Sequence, residues 1–162
     1  MKIENIKNHE MHLFEFRGFL NALEKFCGAE YSLWADGFEI EVNLEFSINK
    51  YVSKLDGDFI YKSINKVEFK DIKLLLDEYI FYRLPNIGNN SYKKELAWHF
   101  IEYYGLISTA LNEKGVFNPL AQNQETIYLV NIESSFYKKS AYYIVQIEDY
   151  VVITAMGIKK QA

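Results

Sequence analysis

Carboxylates come first among the residues whose types and spacing could do chemistry. Glu39, Glu41 and Glu45 fall in the run 38–48, where Phe38, Ile40, Val42, Leu44, Phe46 and Ile48 alternate with Glu39, Glu41, Asn43, Glu45 and Ser47. A strand points successive side chains to opposite faces, so this run predicts one apolar face and one face bearing three carboxylates. Side chains two apart on a strand lie roughly 7 Å from each other, near the separation of the carboxyl pair in glycoside hydrolases. Such enzymes also need a deep sugar-binding cleft, usually on a larger scaffold. We therefore read the acidic row as a binding surface.

The remaining reactive residues do not assemble into a catalytic pattern. His9 and His12 stand three apart without a nearby third ligand, and Glu95 and His99 offer only half of a zinc site, because the fuller His-Glu-x-x-His arrangement is missing. Cys27 is the only cysteine, so the chain has no internal disulfide; it lies in an apolar stretch and reads as a buried, inert thiol. The eight glycines form neither a dinucleotide fingerprint nor a Walker loop, and Gly105-Leu106-Ile107-Ser108 is only a fragment of a nucleophile elbow. Asp56-Gly57-Asp58 lacks the later ligands of a calcium loop and predicts a turn. The expectation is a protein that is not an enzyme and carries no cofactor or metal.

Charge favours a protein partner. The net charge is −4, and the segment 30–60 holds seven acids (Glu30, Asp36, Glu39, Glu41, Glu45, Asp56, Asp58) against Lys50 and Lys54, leaving the rest of the chain near neutral. Phosphate contacts rely on Lys and Arg, so direct nucleic-acid binding is not expected. An acidic field speeds encounter with a basic protein. Aromatic content is high, with 13 Tyr and 12 Phe, which serves core packing and also supplies amphipathic surface anchors. No apolar run approaches the roughly 20 residues that cross a bilayer, and the N-terminus lacks signal-peptide blocks, so the expected location is cytoplasmic.

The elements that must position these residues follow from periodicity. Leu13, Phe16, Phe19, Leu20, Leu23 and Phe26 mark one face of a helix that Gly28 ends. Tyr31, Leu33 and the run from Phe38 predict an N-terminal hairpin turning at Asp36-Gly37. One or two strands are predicted over 59–61 and 64–69, then a helix over 72–83 capped by Asp71 and followed by Pro85. A loop over 86–90 precedes a helix from Ser91 to Tyr104, resuming after Gly105 to Leu111 and apolar nearly all round. After a loop over 114–124, strands over 127–132, 142–147 and 150–156 form a meander, whose consecutive apolar residues predict burial on both faces. The expected fold is α+β: a single domain spanning 1–162, with an antiparallel sheet (hairpin plus meander) against about three helices.

The passage from Leu33-Trp34 through 38–48, then Val67-Glu68-Phe69 and the helix 71–83, is similar to the opening half of some toxin-immunity families, with a Trp-containing strand pair followed by a short acidic helix. A small, acidic, aromatic-rich chain of this type resembles the immunity proteins that bacteria carry beside secreted polymorphic toxins, including contact-dependent growth inhibition systems. The resemblance implies an inhibitor that binds a cognate toxin, often a basic nuclease, and carries over no site residues. From the carboxylates themselves, the expected contact comprises Glu39, Glu41, Glu45, Asp56 and Asp58. The alternative is a phage-type anti-defence protein that inhibits a host nuclease by imitating nucleic acid.

Overall fold

The computed structural model describes residues 8–85, 91–111 and 126–160. Among them the chain runs α1 (Asn8–Cys27), β1 (Tyr31–Glu39), α2 (Leu44–Ser53), β2 (Phe59–Lys66), α3 (Phe69–Tyr79), a 3-10 turn (Phe81–Arg83), α4 (Ser91–Leu111), β3 (Ile127–Ser134), β4 (Tyr137–Ile147) and β5 (Tyr150–Lys159). The expected loops over 86–90 and 114–124 lie outside the described residues.

The strands form one antiparallel sheet in the order β1-β5-β4-β3-β2, so the α+β class stands, as does the C-terminal meander. Helices α1, α3 and α4 pack on one face, where Phe16, Leu20, Ile72, Leu76, Phe100 and Tyr104 meet Tyr143, Val152 and Met156. Helix α2 packs on the other, setting Ile48 and Val52 against Val130, Ile144, Val151 and Ile153. Helices on both faces explain why β5 is buried continuously from Tyr150 to Gly157, as its unbroken apolar run predicts.

The run 38–48 is not one strand. β1 ends at Glu39, Val42 turns the chain at φ 64°, and Asn43 caps α2 by accepting the Phe46 amide at 2.8 Å. Leu44, Ile48, Tyr51 and Val52 also satisfy helical spacing, and with a cap in place that period prevails. The cost of reading alternation alone is visible at Val42 and Phe46, assigned to an apolar face but 87% and 47% exposed.

Nor does the chain turn at Asp36-Gly37. β1 runs straight through both residues and pairs with β5 along its length, leaving β1 and β2 at opposite edges of the sheet. Gly37 is required there for a different reason. A Cβ on it would lie 1.9 Å from the Tyr150 hydroxyl, because the Tyr150 side chain crosses from β5 over the glycine, steadied by an edge contact with His9.

Helix α1 seals the outer edge of β1. Glu24 accepts the Leu33 amide at 2.8 Å and Arg17 Nε donates to the Ala35 carbonyl at 2.8 Å, giving outward-facing backbone groups a partner. The opposite edge, β2, is irregular between Tyr61 and Ser63 and exposes Lys62 and Lys66, features that discourage strand addition.

Two smaller boundaries and one exposure differ from expectation. α3 begins at Phe69, with Asp71 at its third position accepting the Glu68 amide at 2.9 Å in a capping box. α4 continues through Gly105 and buries one face only, exposing Trp98 and Leu106. Phe26, placed on the apolar face of α1, is 73% exposed, while Cys27 beside it is buried.

Candidate functional site

The five expected contact residues, Glu39, Glu41, Glu45, Asp56 and Asp58, are all exposed, yet they do not share a strand face. Glu39 ends β1, Glu41 lies in the following loop, Glu45 sits in the first turn of α2, and Asp56 and Asp58 follow the helix end. The rest of α2, residues 46–53, lies between the two acidic groups, about 12 Å of helix. Glu41 accepts from Lys50 Nζ at 2.6 Å, and this charged hydrogen bond lowers the pKa of its carboxyl group. Glu45 accepts the Tyr61 hydroxyl at 2.9 Å; burial, then this acceptor, pushes the Tyr61 pKa up to about 12. Asp58 accepts from Ser135 Oγ at 3.3 Å.

Around these acids the surface carries separate hollows. Glu39 and Glu41 line a small one of about 140 Å³ together with Lys50 and Lys54, so its charge is mixed. Asp58 borders a polar opening of about 450 Å³ with Glu133, Lys138 and Lys139. This opening exists because the β3–β4 ladder stops at Val130 and Tyr142, although both strands continue toward their connection at Ser135-Phe136.

Asp56 borders a hollow of another kind. About 270 Å³ in volume, it is walled by Trp34, Tyr51, Phe59, Phe136 and Tyr137, with Leu55 completing the apolar lining. Each ring comes from a different place: β1, α2, β2, the β3–β4 connection and the start of β4. Specific contacts hold them. Trp34 Nε1 donates to the Tyr137 hydroxyl at 3.4 Å, which donates to Ser32 Oγ at 2.9 Å. The Tyr137 ring covers Gly157, where a Cβ would come within 2.6 Å, and meets Phe136 and Phe59 edge-on at 5.0 and 6.1 Å. Tyr51 stacks on Phe38 at 4.9 Å and donates to Asp36 Oδ2 at 2.9 Å. Burial, followed by the Asp36 charge, raises the Tyr51 pKa far above the ordinary tyrosine value, so the hydroxyl stays a donor.

Asp36 also accepts from Arg17, which reaches around the β1 edge from the opposite layer. The residue expected to turn a hairpin instead ties α1, β1 and α2 together beneath the aromatic wall.

The other reactive residues lie apart. His9 packs on Tyr150, His12 lies 3.4 Å from Glu15, and His99 meets Glu102 at 3.1 Å instead of the expected Glu95. Among the described residues, no group of three or more His, Cys, Asp or Glu is placed to hold a metal. Burial raises the pKa of the Cys27 thiol, disfavouring the nucleophilic thiolate. Tyr104, Tyr143 and Thr154 form a buried hydroxyl cluster joining α4 to the sheet, with Tyr104 bonded to Tyr143 and 3.1 Å from Thr154 Oγ1. Burial pushes the Tyr143 pKa up to about 12.

The fold and surface define an antiparallel α+β protein with helices on both faces of its sheet and an aromatic, acid-rimmed hollow on the α2 side. No protein-family model matches the chain, and searches of curated proteins and of solved structures find no significant match. No described helix is long and apolar enough to cross a membrane.

Proposed function

We propose that the protein is an immunity protein that acts without turnover, binding a cognate basic bacterial toxin, such as a nuclease, through the acidic and aromatic surface around α2. The observation that carries this reading is Asp56 beside a preformed aromatic hollow, with Asp58 following it in the chain and further exposed carboxylates at Glu39 and Glu45 toward the other end of α2. Interface anchors are characteristically aromatic side chains and the pockets that receive them, while surrounding charge governs encounter rate and partner choice. A cytoplasmic location in the producing cell follows from this role.

The nucleic-acid mimic is the second reading and draws on the same acids. It ranks lower because Glu41 is paired with Lys50 and the acids stand in two groups instead of a regular row.

Expression beside the genomic neighbour tests the proposal. The adjacent gene product should arrest growth when expressed alone, and co-expression of this chain should restore growth and yield a stoichiometric complex. A neighbour without toxicity, or toxicity unrelieved by this chain, overturns the reading.

A further inference from the structure

We propose that the hollow formed by Trp34, Tyr51, Phe59, Phe136 and Tyr137 is a socket for a single arginine side chain presented by a protein partner, with Asp56 as its counter-charge. The identity of that partner rests on the immunity reading, whereas the socket can be tested without it.

Four features favour an arginine. Aromatic faces carry negative potential and attract cations, most strongly at tryptophan, and the lining contains five aromatic residues and no basic one. The acid at the rim is available: among the described residues Asp56 has no ion pair or hydrogen-bond partner, in contrast to Glu41 and Asp58. Three of the rings are tied in place before anything binds, since Tyr137 and Tyr51 donate to Ser32 and Asp36 outside the hollow and Trp34 donates to Tyr137, reducing the ordering cost of association. Finally, about 270 Å³ lies just below the roughly 300–1,000 Å³ of small-molecule sites, suiting one long side chain better than a whole ligand. Between the basic side chains, guanidinium is the better match. It stacks flat on aromatic rings while directing a planar fork of donors at a carboxylate, whereas an ammonium is a compact and strongly hydrated charge.

Two other hollows among the described residues lack this combination. The groove between α3 and α4, with Phe69, Phe81 and Trp98, bears Lys73, Lys93 and Lys94, and the small hollow at Glu39 and Glu41 contains two lysines.

The test is a fluorescence titration of Trp34 in a Trp98→Phe background, at constant ionic strength, with N-acetyl-arginine amide, its neutral analogue N-acetyl-citrulline amide, and choline. A saturable response should favour the arginine probe over citrulline by about tenfold. Asp56→Asn should weaken arginine binding several-fold with unchanged thermal unfolding, since this exposed side chain supports no core contact; Phe136→Ala should weaken it likewise, with unfolding lowered only slightly by loss of the edge contact with Tyr137. Equal responses to arginine and citrulline, or no saturable response, overturn the socket. Tighter binding of choline also overturns it, by assigning the hollow to a quaternary-ammonium ligand. An arginine response without toxin neutralisation leaves the socket standing and removes the immunity reading. Neutralisation that survives both substitutions, with no arginine response, does the reverse.

Discussion

Tyr51 on α2 donates its hydroxyl to Asp36 on β1 at 2.9 Å, while the other oxygen of the same carboxylate receives Arg17 from α1. One side chain thereby joins the helices on the two faces of the sheet, and Tyr51 also forms part of the aromatic hollow. Asp36→Ala leaves Tyr51, Arg17 and the Gly37 amide, which donates to the same carboxylate at 2.8 Å, without their charged acceptor and should destabilise the fold by about 2–3 kcal/mol. Tyr51→Phe, which keeps the ring, should cost about 1 kcal/mol. Urea unfolding of the two variants checks the order; equal losses would mean that Arg17 and the Gly37 amide add nothing to the link.

Two glycines should respond to alanine in opposite directions. At Gly18, exposed within α1, an added Cβ meets nothing within 4 Å, so Gly18→Ala should stabilise by about 0.5–1 kcal/mol through helix propensity. At Gly37 the Tyr150 side chain occupies the space, and Gly37→Ala should destabilise by about 1–3 kcal/mol, as overpacking does. Removing the ring in a Gly37→Ala, Tyr150→Ala double variant should make the combined loss smaller than the sum of the single losses. Thermal and urea unfolding of the four proteins provide the cycle.

Buried tyrosines set an alkaline limit. Tyr143 ionises at about 12 in the folded protein against about 10 when unfolded, chiefly because it is buried. Above pH 10 the unfolded chain loses this proton while the folded chain keeps it, so stability is fully present below pH 10 and falls as pH rises toward 12. Two units correspond to about 3 kcal/mol for this residue. Absorbance of tyrosinate followed together with far-UV circular dichroism should show ionisation of the buried set coinciding with unfolding; ionisation with structure intact would contradict the assignment.

The exposed acids should affect encounter more than stability. Reversing Glu39, Glu41 and Glu45 together to lysine should slow association with a basic partner severalfold at low salt, with the effect fading near 0.15 M, where the Debye length is about 8 Å. Lys50→Ala should leave stability nearly unchanged, because its pair with Glu41 is exposed and screened, while speeding association by uncovering that carboxylate. Stopped-flow association rates across a salt series decide both.

Long-period signals were legible in the chain: α1 with its terminating Gly28, the meander from β3 to β5, and the two-sided burial of its central strands. The stretch 31–48 was not, for two physical reasons. Alternation and helical spacing share Leu44 and Ile48, and the arbiter is a single cap at Asn43. Asp36-Gly37 carries turn chemistry, but the glycine is dictated by the Tyr150 side chain, more than a hundred positions away. The candidate site was legible only in part. Asp56 stood among the expected contacts, whereas Trp34, Tyr51, Phe59, Phe136 and Tyr137 come from five places in the chain and share no spacing. Their only trace was an unusual aromatic content.

The dispersed origin of those rings makes the hollow a property of the native state alone. An unfolded chain cannot recreate it, so occupancy and folding belong to one linked equilibrium in which anything seated there withdraws molecules from the unfolded pool. A bound partner would therefore raise the melting temperature in proportion to the logarithm of its concentration and shield the chain from proteolysis, giving the complex a longer lifetime than either the free fold or its surface charge would predict.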